Sequence, residues 1–201
     1  MNLLELFGVI IGLLYLYFEY KGSIYLWVVS IIMPVIYIKV YHDAGLYADM
    51  GCNIYYLLAS FYGLAVWMFA GRKIKKSGKD KHKPKKELKI THVPVKSWFP
   101  QALISIVVFF IMTYVLKTYT NSTVPYLDSF TTTLSIIGMW QLARKYIEQW
   151  FTWIAVDAVS VGLYCYKGLY LTAFLYLVYT LIAVAGYFKW QRMMKKELLS
   201  C

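Results

Sequence analysis

The sequence predicts an all-α membrane protein with seven transmembrane helices, built as two parallel three-helix repeats joined by a linking helix in a three-plus-one-plus-three order. Three observations lead there. The chain has 201 residues, 60% of them hydrophobic and 15% charged, whereas soluble domains carry about 25% charge, and a chain this short cannot bury so much apolar surface in water. Apolar windows of about 20 residues, enough to cross a bilayer's hydrocarbon core, recur along it. The first three windows and the last three also match one another in order.

The windows run over Leu3 to Phe18, Ser23 to Val40, Leu46 to Ala70, Trp98 to Leu116, Phe130 to Leu142, Trp150 to Tyr166 and Leu169 to Trp190. No basic start and small-residue cleavage site frames the first, since Met1 to Glu5 ends on an acid, so it reads as a retained helix and not a signal peptide. The fifth is the least apolar, because it runs into "GMWQLARKYIEQWFTWIAVD" at Gly138 to Asp157. The alternation of its neighbours across the membrane requires it as a span. The expected organisation is a first repeat at 1–70, a basic loop at 71–97, the linking helix at 98–116, an external loop at 117–129, the second repeat at 130–190 and a basic tail at 191–201.

Lysine and arginine set the orientation. The formal net charge of +11 is concentrated in "GRKIKKSGKDKHKPKKELKITHVPVK" (Gly71 to Lys96) and in the tail "QRMMKKELLSC", so both are expected on the cytoplasmic side. Seven spans then place the amino terminus outside and the carboxyl terminus inside, with Lys21, Arg144 and Lys145 inside and only Lys39, Lys117 and Lys167 off the pattern. The lysine run lacks interleaved aromatics and a folded module, which argues against nucleic-acid binding and for orientation and attraction to anionic membrane lipid.

Catalytic chemistry finds no support. Cys52, Cys165 and Cys201 have no paired spacing, and His42, His82 and His92 lie in loops without metal-ligand spacing on a helix face. There is no phosphate-binding glycine loop and no nucleophile elbow. No metal, cofactor or enzyme activity is expected.

The repeat is more informative. Ile11 and Gly12 fall on Ile137 and Gly138, Tyr20 on Tyr146 and Trp27 on Trp153. After a three-residue slip in the outer loop, Gly45, Leu46 and Tyr47 fall on Gly168, Leu169 and Tyr170, Tyr56 on Tyr179, Gly63 on Gly186 and Trp67 on Trp190. A single helix between two three-helix copies makes the repeat parallel, which is one of two transporter designs, with substrate held between the halves near the midplane. The glycines alone carry no function, since any membrane bundle needs small residues where backbones approach.

The polar residues are the candidates. Trp150, Trp153 and Asp157 share a helix stripe extended by Ser160 and Tyr164. An ionised carboxylate in mid-span costs at least about 2.5 kcal/mol, so Asp157 is expected to face a cavity, a cation or a structural hydrogen bond. Gln141, Lys145 and Glu148 form a second stripe, in which Lys145 can pair with Glu148 for about 0.2–0.5 kcal/mol. Trp98 and Trp190 fit an interfacial belt, and so does Trp150. Trp153 lies a turn deeper, and its match with Trp27 sets two rings face to face near a carboxylate. That arrangement suits a flat aromatic cation of vitamin size, held by about 2 kcal/mol of cation–π attraction when desolvated. Asn53, Tyr56, Ser60 and Gly63 line one face of the third helix, where Asn53 serves either a substrate hydroxyl or amide, or interhelical packing worth about 0.6 kcal/mol.

The segment from Trp140 to Trp190 resembles the PnuC family of nicotinamide riboside transporters, through Trp150 and Trp153 as W-x-x-W, Asp157, "YKGLY" at Tyr166 to Tyr170 and Gly186, Tyr187 and Trp190. "NIYYLLASFYGLAVW" resembles that family's third helix. The resemblance implies a bacterial inner-membrane protein with a SWEET-like fold, a homotrimer that takes up an unphosphorylated vitamin by facilitated diffusion, with a cytoplasmic kinase trapping the product. It assigns substrate binding to Trp150, Trp153, Gln141, Lys145 and Asp157, with Asn53 and Tyr56 on the polar wall of the third helix; the repeat adds Trp27, facing Trp153. Nicotinamide riboside members often carry G-W-W-Q-W where this chain has Gly63 to Trp67. Thiamine has a cationic ring too, so a thiamine transporter of the same family is the alternative, and a non-transporting membrane scaffold is the distant one.

Overall fold

A computed structural model of the chain describes residues 3–43, 47–69, 88–120 and 122–199. These residues form seven helices: α1 Leu3–Tyr20, α2 Tyr25–Asp43, α3 Tyr47–Phe69, α4 Val95–Tyr119, α5 Pro125–Ala143, α6 Gln149–Tyr166 and α7 Tyr170–Leu199. Among the described residues the only strand-like pairing is an isolated parallel bridge between Thr91 and Tyr146. Residues 71–87, which hold most of the lysine run and His82, lie outside the described residues, as do Leu46, Ala70 and Cys201.

Four helices are long and apolar enough to cross a membrane by composition alone, within Tyr25–Asp43, Met50–Phe69, Val95–Tyr119 and Tyr170–Glu197. The fifth and sixth carry polar side chains that the fold buries, among them Thr133, Ser135, Gln141, Asp157 and Ser160. Apolar side chains such as Phe110, Tyr114, Leu171 and Leu181 point outward instead, the reverse of a soluble protein and the arrangement expected with lipid as solvent. This is a multi-pass membrane protein.

Two element boundaries depart from expectation. The loop after α4 shortens because α4 continues through Lys117 to Tyr119 and α5 starts at Pro125, a residue suited to a helix's first turn. The basic tail is helical, with α7 running unbroken to Leu199. The fifth helix ends at Ala143, within a residue of the expected Leu142, and Lys145 and Glu148 follow it in the turn before α6.

The chain divides into two compact units, Met1–Ile90 with Ala143–Lys145, and Thr91–Leu142 with Tyr146–Cys201. In the first, α2 packs on α1 and α3. The α1 end is a glycine cap in which Gly22, at φ 63, lets Gly22 N–H reach Glu19 O and Ser23 N–H reach Phe18 O, each at 2.9 Å. Trp27, fully buried, fills the space left by Gly63, and its ring meets that of Trp67 edge to face at 5.7 Å. Pro34 cannot bond the carbonyl of Ser30 one turn back. Ser60 Oγ lies 3.4 Å from that oxygen, and Ser30 Oγ donates to Ser60 Oγ at 2.9 Å.

The second unit repeats this plan. Trp150 is fully buried against Gly186 and meets Trp190 edge to face at 5.6 Å. α6 ends on Gly168, at φ 72, with the same pair of capping bonds, Gly168 N–H to Cys165 O and Leu169 N–H to Tyr164 O. At the start of α5 Asp128 accepts from Ser122 Oγ at 2.5 Å and pairs with Lys167 at 3.4 Å, and Lys117 lies 4.0 Å from the Tyr126 ring centre. Two of the three lysines that break the inside-positive pattern are thus held locally.

These matches correct the repeat register. Trp27 corresponds to Trp150 and not to Trp153, just as Gly63 corresponds to Gly186 and Trp67 to Trp190. The helix starts agree, since Leu3 and Pro125, and Tyr47 and Tyr170, fall in one constant register to within a residue. The three-residue slip is an artefact of helical periodicity: three residues are nearly one turn, so a shift of one turn keeps the apolar face aligned.

A clasp joins residues 91–93 to the start of α6 in the second unit. Ile147 N–H donates to Thr91 O at 3.0 Å, while Glu148 accepts from Val93 N–H at 2.9 Å and pairs with His92 Nδ1 at 2.7 Å. Glu148→Ala removes a charged acceptor, which is worth about 1.5–3 kcal/mol. We expect faster amide exchange at residues 91–95 and a lower unfolding temperature in the purified protein; unchanged exchange there would show that the clasp holds nothing.

Candidate functional site

On α6 one face carries Gln149, Trp153, Asp157, Ser160 and Tyr164, spaced by three or four residues along the helix. α5 closes in on it where Gly138 stands: a Cβ there would lie 3.3 Å from both the Trp153 ring and the Thr152 methyl. α7 supplies Tyr176, stacked on Tyr164 at 5.1 Å and 19°, and Tyr179, ring to ring with Tyr176 at 5.7 Å. Both phenols are electrostatic neighbours of Asp157.

Asp157 is buried, and among the described residues no side chain hydrogen-bonds or ion-pairs with it. The second unit also buries no lysine or arginine among its described residues. A carboxylate so placed attracts a cation from outside the protein. Trp153, one turn away, is half-buried with an unpartnered Nε1, so a ring and a carboxylate lie side by side on one helix face.

The expected residues separate by what they touch. Gln141 is buried with both ends of its amide engaged, its Nε2 donating to Gln101 Oε1 at 2.9 Å and its Oε1 accepting from Thr152 Oγ1 at 3.0 Å. It ties α4, α5 and α6 together. Trp150 and Trp27 are wholly enclosed in equivalent glycine notches, Trp27 in the first unit and Trp150 in the second. They key helix pairs together, and Trp27 does not stand at the position equivalent to Trp153. That position in the first unit belongs to Ser30.

Asn53 and Tyr56 lie half-buried on α3 of the first unit, where Tyr56 O accepts from Ser60 Oγ at 2.7 Å. Tyr15 lies nearby, its buried hydroxyl without a hydrogen-bond partner among the described residues and its electrostatic neighbours Glu19 and Tyr56. This unit therefore has its own polar groups, Asn53, the Tyr15, Tyr56 and Ser60 hydroxyls and the buried Glu19 carboxyl.

Lys145 belongs to the first unit, buried, with its ammonium 4.2 Å from the Trp67 ring centre, while Trp67 Nε1 donates to Ala143 O at 3.1 Å. Glu148 is committed to His92 and Val93. Lys145 has φ 55, a left-handed conformation that costs a non-glycine residue about 1 kcal/mol or more. Its counterpart by register is Gly22, where glycine takes that conformation freely. The buried cation–π contact, worth about 2 kcal/mol, outweighs the strain. Lys145→Gly is accordingly expected to lower the unfolding temperature despite relieving the backbone, which thermal unfolding of the purified protein can check.

Gln149 is the residue that sequence reasoning passed over. It is fully buried, and neither Oε1 nor Nε2 has a partner among the described residues. Its signal was available, since it precedes Trp153 by four positions and so shares its face.

A family model described as nicotinamide mononucleotide transporter matches residues 2–192. The chain is 24% identical to the nicotinamide riboside transporter PnuC of Escherichia coli (strain K12), over 93% of this chain and 84% of that one. It is 26% identical to the nicotinamide riboside transporter PnuC of Neisseria mucosa, over 92% of this chain and 71% of that one. In structure it is similar to the crystal structure of the vitamin B3 transporter PnuC, with a TM-score of 0.67, 26% identity, and coverage of 94% of this chain and 80% of the other. All of these are transporters by name and none an enzyme.

Proposed function

We propose, since this chain belongs to the family of nicotinamide mononucleotide transporters, that it carries nicotinamide riboside across the bacterial inner membrane. The observation that carries this reading is the half-buried Trp153 ring one turn from the buried Asp157 on one face of α6, in a unit that buries no lysine or arginine among its described residues. The pyridinium ring is flat, aromatic and permanently positive, so it can stack on the indole while the carboxylate offsets its charge. Gln149, Ser160 and the Tyr164, Tyr176 and Tyr179 phenols extend this wall. Gln141, Trp150 and Trp27 hold their helices in place.

The same face argues for the riboside over the mononucleotide named in the family's description. A phosphate dianion drawn from water needs arginine or lysine partners. The second unit buries neither among its described residues and instead presents Asp157.

Uptake proceeds by alternating access and facilitated diffusion, with a cytoplasmic kinase trapping the product. The amino terminus faces outward, and the lysine run and carboxyl-terminal helix end face the cytoplasm near anionic lipid. The functional assembly is a homotrimer, in which α4, whose only buried residue is Thr113, has a face free for a neighbouring copy. Calorimetric titration of the purified protein tests the site: nicotinamide riboside should bind and the mononucleotide should bind at least about tenfold more weakly, a gap of about 1.4 kcal/mol. Equal binding of the two would remove the argument from charge.

A further inference from the structure

Two glutamines are buried in the second unit, and they differ in one respect. Gln141 has its donor and its acceptor engaged by Gln101 and Thr152. Gln149 has neither engaged by any described residue, although it is 0% exposed. An amide group buried without its bonds costs about 1–3 kcal/mol, a cost that leucine or methionine at the first turn of α6 would avoid. One turn further, Trp153 Nε1 is buried and unpartnered as well. Three orphaned polar atoms therefore lie on adjacent turns of the face that carries Asp157.

The chemistry of the unused pair defines what it can read. A glutamine amide sets a donor beside an acceptor, and its complement is a group with an acceptor beside a donor at the same spacing. A primary carboxamide closes two N–H···O bonds with it. A carboxylate offers two acceptors, so one oxygen would face Gln149 Oε1 lone pair to lone pair. A ring with no amide leaves both glutamine atoms unsatisfied. A site whose buried polar groups need the ligand's own rejects analogues lacking them far more strongly than an apolar pocket does.

We infer that Gln149 is a specificity-determining residue that pairs with a primary carboxamide carried on the same flat ring that stacks on Trp153. This rests on the transporter reading and deepens it. Gln149 is sealed here, so the pairing belongs to the conformation in which the inner half of the α6 face is open.

The test uses the full-length purified protein and three probes: nicotinamide riboside, nicotinic acid riboside and the pyridinium riboside without an amide. The wild type should bind the first at least about tenfold more tightly than the other two. Gln149→Met keeps the side chain's length and removes its polarity. It should weaken nicotinamide riboside about tenfold or more and leave the pyridinium riboside within about twofold. Gln149→Glu, which keeps size and polarity but replaces the donor by an acceptor, should also abolish the preference for the carboxamide, so the proposal stands if either variant folds. Equal binding of the three probes by the wild type, or equal weakening of all three in a folded variant, would overturn the role of Gln149 and leave the transporter reading intact. Binding of none by the folded wild type would overturn both.

Discussion

Gly186→Ala is expected to be among the most damaging single-methyl substitutions in the chain. A Cβ at that position would overlap the six-membered ring of Trp150, which is fully enclosed and edge to face with Trp190. The ring has nowhere to turn, so the α6–α7 pair must separate. Overpacking of this kind costs about 1–3 kcal/mol or more, and at this chain length each kcal/mol lowers the unfolding midpoint by about 2–4 °C. Gly63→Ala should do the same to the α2–α3 pair through Trp27. Gly162→Ala is the internal control, since no atom lies within 4 Å of its added Cβ, and it should leave the midpoint unchanged or raise it slightly through helix propensity. Combining Gly186→Ala with Trp150→Phe should recover part of the loss. If all three alanine variants melt together, the notches do not hold the helix pairs.

The second large effect concerns function. Trp153→Ala should weaken substrate binding about 30-fold, the equivalent of about 2 kcal/mol of desolvated cation–π attraction. Trp153 is half-buried and fills no glycine notch of the kind that encloses Trp150, so the loss should appear in binding and transport before stability. Trp153→Phe should keep part of the affinity, because a smaller ring still stacks. Trp150→Ala should reverse the order, reducing the folded yield first. If Trp153→Ala binds like the wild type, stacking on this face is excluded.

Those two tryptophans show how far the sequence could be read. Helix number, order and most boundaries follow from apolar windows, and the family resemblance follows from Trp150, Trp153 and Asp157 with their neighbours. Periodicity cannot tell a shift of one turn from true register, so spacing alone pairs Trp27 with Trp153, whereas the notches at Gly63 and Gly186 pair it with Trp150. Tertiary partners were likewise out of reach. Gln141 and Gln149 are one residue type on neighbouring helices, and only the positions of Gln101 and Thr152 show that one is satisfied while the other is not. Lys145 illustrates the same limit: helical spacing offered Glu148 as its partner, but the left-handed turn carries its ammonium to Trp67.

The most direct measurement is uptake into liposomes containing the purified protein, with labelled nicotinamide riboside outside. The account predicts saturable entry that stops when inside and outside concentrations are equal, that is indifferent to ion gradients, and that continues to accumulation when nicotinamide riboside kinase and ATP are enclosed. Thiamine in the same liposomes should enter more slowly. No entry of nicotinamide riboside through folded protein, or accumulation without the kinase that collapses with an ion gradient, would contradict it.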